Sequence, residues 1–168
     1  MASRDVAAHL GACCASIYEA FGEGAPTLSD DAFVVRAHEL SRVFGERALE
    51  LSALAGEGEV APLPIISSVL GEALERDRTG AMALFAFVSL VGPRLLISVR
   101  DAHTALDGDA ELGVRIDEVA NTLVREIRRT AEVVRELPAG DQEWLGAARG
   151  LTTQLDESGN GESFGLFA

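Results

Sequence analysis

The sequence has no lysine, since all 14 basic side chains among its 168 residues are arginines. This absence excludes a Schiff-base lysine, a phosphate-loop lysine and a lysine general base. The 27 acidic side chains give a formal net charge of −13. Nucleic-acid-binding proteins need basic side chains that displace counterions from phosphate, so this charge balance predicts no nucleic-acid partner.

Cysteine and histidine are scarce. Cys13 and Cys14 are adjacent in a helix-like stretch, where their side chains point about 100° apart and cannot form a strain-free disulfide. Together with three histidines they fall short of a well-spaced zinc site, and the sequence lacks the Glu-x-x-His pairs of di-iron bundles. Leu10–Cys13 resembles a bacterial lipobox, but the apolar run before it is too short for a signal peptide. Free cysteines predict a reducing, cytoplasmic location.

No apolar run reaches the length of a membrane-spanning helix. The most apolar part of the chain, from Met82 to Val99, is interrupted by Arg94. A spanning helix needs about 20 consecutive apolar residues, and an arginine in its middle is costly. The sequence therefore predicts a buried core helix here and no transmembrane segment.

Hydrophobic residues are abundant, at 48%, and they repeat at three- and four-residue spacing between Gly- and Pro-containing breaks. This pattern predicts an all-α, compact bundle of about six or seven helices over residues 1–155. The short apolar runs within 84–99 leave an alternative open, an α+β fold in which they form a hairpin turning at Gly92-Pro93.

Helix boundaries follow from capping residues. We expect Ser3 to cap the first helix, Ser29 or Thr27 to cap the second, and Asp141 to cap the last. The longest helix is predicted over 110–137, with Leu123 and Ile127 facing inward. Its opposite face alternates arginines with carboxylates and is typical of a solvated, salt-bridged surface.

The C-terminal segment, residues 156–168, has a composition unlike the rest of the chain. Residues 156–163 are rich in Gly, Ser and acid and predict a flexible acidic linker. Phe164, Leu166 and Phe167 follow it and provide enough apolar area to anchor in a protein partner's pocket, so we interpret them as a docking peptide. The alternative is that this apolar terminus folds back onto its own domain.

His103 is the one candidate cofactor ligand. On a helix, Asp107 would lie one turn beyond it and could orient the imidazole ring towards a haem or another tetrapyrrole, as in a globin-like pocket. The plainer interpretation is a helix-end histidine paired with Asp107 that has no further role. The carboxylates of Glu72, Glu75 and Asp77 lie beside arginines on a charged helix end, which is typical of a solvated face rather than of acid–base catalysis.

The sequence therefore favours a non-enzymatic interaction or assembly protein. It contains no recognisable catalytic motif, and its apolar content leaves helix faces for partners, so we expect a homo-oligomer with no cofactor. The main alternative is a binding protein for an apolar ligand or tetrapyrrole, with His103 as axial ligand. A small helical enzyme without a known motif is a third possibility.

Overall fold

The computed structural model describes residues 2–56, 61–106, 108–135, 142–157 and 164. Within these residues the fold is all-α and has no strand, which confirms the predicted fold class. A single turn of 3₁₀ helix at Ala25–Thr27 follows the first helix. The α-helical elements are α1 (Ser3–Gly24), α2 (Asp31–Ala55), α3 (Pro64–Arg76), α4 (Ala81–Ala105), α5 (Ala110–Val133) and α6 (Gln142–Glu157).

Carboxylates cap two of the helices. Asp30, and not Ser29 or Thr27, caps α2, because its carboxylate accepts hydrogen bonds from the backbone N–H groups of Ala32 and Phe33. Asp109 caps α5 in the same way through Leu112. The expectation for α1 is also off by one residue, since Ser3 is its first helical residue. Asp141, the expected cap of α6, lies outside the described residues.

The hairpin alternative for residues 84–99 is wrong, because this stretch is helical throughout. Gly92-Pro93 does not end the helix. Residues Phe87–Val91 widen into a π turn, in which the N–H of Gly92 donates to the carbonyl of Phe87, five residues earlier. Proline has no N–H to donate to the carbonyl four residues earlier, so it interrupts the hydrogen bonds of an α-helix. The π turn before it shifts these hydrogen bonds to a five-residue spacing, and α4 continues to Ala105.

The core lies where α1 and α2 pack against α4. Phe87, in the π turn, contacts Phe21 of α1 and Phe44 of α2 edge-on, with ring centroids 6.2 Å and 5.7 Å apart. All three rings are fully buried. The remaining core positions are mostly aliphatic, and many of them are alanines. Small side chains at these positions let the helices approach closely.

Helix α4 is long and apolar enough, by length and composition, to cross a membrane. Its most apolar 18-residue window has a mean hydropathy of 2.0, and 61% of that window is buried inside the bundle. The central helix of a soluble protein meets the same criterion. The helix is therefore weak evidence for a membrane span.

The C-terminal helix extends past the expected domain boundary at residue 155. Helix α6 includes Asp156 and ends at Glu157. Helix α5, by contrast, ends at Val133 instead of continuing to 137. Residues 158–163, the rest of the predicted linker, lie outside the described residues.

Candidate functional site

Phe164, from the C-terminal segment, lies in the hydrophobic core of its own domain. Its side chain is only 2% exposed and belongs to the main cluster of buried apolar residues. Its backbone N–H donates a 2.9 Å hydrogen bond to the hydroxyl of Ser98 on α4, and Ser98 is fully buried. Phe164 therefore packs against its own domain. Leu166 and Phe167 lie outside the described residues.

His9 on α1 lies near the backbone of Phe164. Burial lowers the pKa of His9, and the neighbouring Phe164 backbone offsets part of that effect. The Nε2 atom of His9 is enclosed and has no hydrogen-bond partner. We call the arrangement of His9 and Ser98 around Phe164 the Phe164 site.

The end of α6 is fixed close to this site. The side chain of Gln154 donates to the Ser68 hydroxyl on α3 at 2.9 Å, and Arg94 of α4 donates to the carboxylate of Asp156 at 2.9 Å. Arg94 and Ser98 are one helical turn apart on α4, so the end of α6 and Phe164 contact neighbouring turns of the same helix.

The Phe164 site holds its residue through both the side chain and the backbone. The ring supplies buried apolar contact area, and the backbone N–H donates to the Ser98 hydroxyl, with the His9 imidazole nearby. The backbone contact could be made by any non-proline residue, whereas the contact of the ring depends on the side chain. The signal that sequence reasoning used was the aromatic terminus; nothing in the sequence indicated that His9 or Ser98 would meet it.

His103, the candidate cofactor ligand, lies in an open groove between α4 and α5. The groove has a volume of about 390 Å³, and Leu96, Val99 and Ile116 contribute to its apolar wall. The His103 side chain is 57% exposed and its Nε2 lies 3.4 Å from Oδ1 of Asp117. Asp107 itself is outside the described residues. A haem ligand would have to leave this exposed pairing and enter an enclosed apolar pocket.

A buried ion pair connects α2 and α5, and sequence reasoning missed it. The guanidinium of Arg36 donates to the carboxylate of Glu126, and these side chains are 3% and 0% exposed. Arg36 also donates to the Thr130 hydroxyl at 3.0 Å. Burial by itself would raise the pKa of Glu126, but hydrogen bonds from Arg125 and Arg36 and their charges hold that pKa below its usual value.

The rest of the charged face of α5 is more exposed, as its alternating charges predicted. Arg115 and Arg47 both donate to the carboxylate of Glu118, which is 37% exposed. The hydrogen bond from Arg115 lowers the pKa of Glu118. These contacts add a second, half-buried link between α2 and α5.

The remaining polar candidates have structural roles. Asp77 accepts hydrogen bonds from the N–H groups of Thr79 and Met82 at the start of α4, and Glu72 pairs with Arg76. Cys13 and Cys14 are free and fully buried. Burial raises the pKa of Cys13 well above its usual range and that of Cys14 to about 12, so both thiols stay protonated at neutral pH.

Comparison of the chain with protein-family models, with curated proteins and with solved structures finds no match.

Proposed function

We propose that this chain is a non-enzymatic interaction and assembly protein of the cytoplasm, and that it works as a homo-oligomer with its C-terminal segment as docking peptide. The observation that supports this proposal is the Phe164 site, where the domain holds an aromatic residue by both ring and backbone. Aromatic anchors in fully desolvated pockets commonly supply most of the binding energy at interfaces. Docking to another protein requires that Phe164 first leave its own domain.

Helix α2 offers a face for a second copy of the chain. Val35 and Leu49 are 59% and 70% exposed, although both are large and apolar. Fourteen residues of helix place them on nearly the same side of α2, about 21 Å apart, with the exposed Arg42–Glu46 ion pair between them. Symmetric pairing of this face with itself would remove both side chains from water, which favours a two-fold dimer.

Sedimentation velocity at about 1 to 100 µM tests the homo-oligomer, because association depends on concentration by mass action. We expect the wild-type chain to sediment as a dimer or a larger species. Leu49→Glu places a charge in the proposed interface and is expected to shift the protein towards monomer. Val114→Glu is the matched control, since Val114 is 57% exposed on α5 and outside this face.

A wild-type chain that remains monomeric at the highest concentration would refute the homo-oligomer. Equal dissociation by Leu49→Glu and Val114→Glu would place the interface elsewhere and remove α2 from the proposal.

A further inference from the structure

We infer that the Phe164 site also accepts the Phe164 residue of a second copy of this chain. The inference rests on the proposed function, because an exchanged C-terminal segment would connect the copies of the homo-oligomer. Its basis is the construction of the site and the length of chain that reaches it.

The site is formed by parts of the domain that do not depend on the C-terminal segment. His9 belongs to α1 and Ser98 to α4, and both helices pack in the central core. Ser98 is also held by its own helix, since its hydroxyl lies 3.2 Å from the carbonyl of Arg94. An emptied site therefore keeps its two polar groups in position for another Phe164.

The contacts to the segment are local to one residue. The hydroxyl of Ser98 accepts a hydrogen bond from the backbone N–H of Phe164, the imidazole of His9 lies near the same backbone, and the Phe164 ring is buried in the core. Every copy of the chain presents the same residue. Phe164 of a second copy can therefore make the same contacts with this site, and no other matching surface between the two copies is needed.

The tether to Phe164 is longer than placement in its own domain requires. Asp156 contacts Arg94 and Phe164 contacts Ser98, and these two α4 residues are separated by a rise of about 6 Å. Seven residues lead from Glu157 to Phe164, and an extended chain of that length reaches roughly 23 to 25 Å. A Phe164 site on a neighbouring copy can be reached if it lies within about 25 Å of the end of α6.

Concentration decides which copy fills the site. A short tether gives the chain's own Phe164 an effective concentration in the range of about 1 mM, so isolated copies at micromolar concentration fill their own sites. In a homo-oligomer, a neighbouring Phe164 is tethered at a similar local concentration. Exchange between copies is therefore expected within an assembled oligomer and not between separated chains.

A labelled peptide of residues 158–168 measures binding from outside by fluorescence anisotropy. The acceptors are the full-length wild type and the full-length Phe164→Ala chain, whose site has lost its occupant. We expect the Phe164→Ala chain to bind the peptide at least about tenfold more tightly than the wild type, because the wild-type tether competes. A peptide carrying Phe164→Ala is the control and is expected not to bind.

Two further acceptor variants distinguish a loss of binding from a loss of folding. Phe164→Leu keeps an apolar side chain in the core and is expected to bind the peptide with intermediate affinity. Ser98→Ala in the Phe164→Ala chain removes the hydroxyl and leaves the Cβ in place, and it is expected to weaken peptide binding several-fold. Far-ultraviolet circular dichroism checks that each acceptor is helical.

Two results would overturn the inference. One is the absence of peptide binding by the helical Phe164→Ala and Phe164→Leu chains. The other is equal binding by wild type and Phe164→Ala, which would place the peptide at a different site. If either result occurs while the wild type sediments as an oligomer, the proposed homo-oligomer is retained, but its copies do not exchange Phe164. If the peptide binds as expected and the wild type is monomeric, the site stands and the proposed assembly fails.

Discussion

The His9 side chain gives the C-terminal contact a defined response to pH. Its pKa in the folded chain is below the usual 6.5, chiefly because the ring is buried. The unfolded chain therefore binds the proton more readily, and folding stability must rise with pH where the two states differ. We expect this stability to be fully present above about pH 6.5 and to decrease as the pH falls below that value.

Urea denaturation at about pH 7.5 and pH 5.5 measures this effect. His9→Gln should reduce the loss of stability at the lower pH, because the variant has no imidazole to protonate. His38→Gln is the matched control, since His38 is an exposed residue of α2. If His9→Gln and His38→Gln show the same pH dependence, His9 does not link the fold to pH.

The buried Arg36–Glu126 pair predicts a characteristic mutational pattern. Arg36→Met removes the positive partner and leaves the buried Glu126 carboxylate less well compensated, which should cost about 3 to 5 kcal/mol. The double variant with Glu126→Leu should recover much of that loss, since neither charge remains buried. Guanidinium denaturation of the two variants checks this. Equal stability of the single and double variants would mean that Arg125 and Arg129 compensate Glu126 without Arg36.

Residue types explain which details could be predicted. The sequence pointed to serine or threonine as the cap of α2, but the adjacent carboxylate of Asp30 bonds two N–H groups. Arg36 stands among the apolar repeat of α2, between Phe33 and Leu40, and this position was the available signal of a buried charge. Its partner, Glu126, could not be recognised from the sequence, because it lies on a helix whose other charges alternate along an exposed face.

At the scale of elements, α4 shows the limit of pattern reasoning. Apolar periodicity alone does not distinguish two short strands from a continuous buried helix. Gly92-Pro93 suggested a break, since proline removes an N–H from the helical ladder. The bond from Gly92 to Phe87 in the π turn keeps the helix continuous, and no local residue preference indicated that bond. The longer helices were predictable because their apolar repeats are sustained.

The inward face of α5 provides a test at this scale. Leu123 is fully buried, as predicted, whereas Ile127 is only partly buried and packs near Gly92 of α4. Leu123→Ala should therefore destabilise the fold by about 2 to 5 kcal/mol. The neighbouring Val124→Ala is the control, since Val124 is 40% exposed and should change stability by less than about 0.5 kcal/mol. Thermal unfolding of both variants measures the difference.

At the scale of the whole molecule, the C-terminal segment contributes to the fold. Burial of the Phe164 ring is worth about 1.5 to 3 kcal/mol. A chain ending at Glu157 should therefore melt roughly 3 to 12 °C below the full-length chain, at about 2 to 4 °C per kcal/mol for a domain of this size. Differential scanning calorimetry measures the shift. An unchanged melting temperature would mean that Phe164 is not held in the core.

The Phe164 site could be predicted only in part, because it is assembled from distant parts of the chain. The aromatic terminus was visible as a group of anchors after a linker. His9 had no partner pattern in the sequence, and Ser98 lies within an apolar run whose periodicity was ambiguous. Only the packing of α1 against α4 brings them together around Phe164.

The Arg36–Glu126 pair also has a consequence for fold uniqueness. Because many core positions are alanines and only 5% of all residues are aromatic, the apolar surfaces of α2 and α5 carry few large side chains to fix how they slide along each other. If α5 slid by one helical turn, Arg36 and Glu126 would be separated. Arg36 would keep only Glu39 of its own helix, and Glu126 would keep only Arg125 and Arg129 of its own. The penalty for that separation acts against every misaligned arrangement, so a pair that adds little net stability can still select a single register.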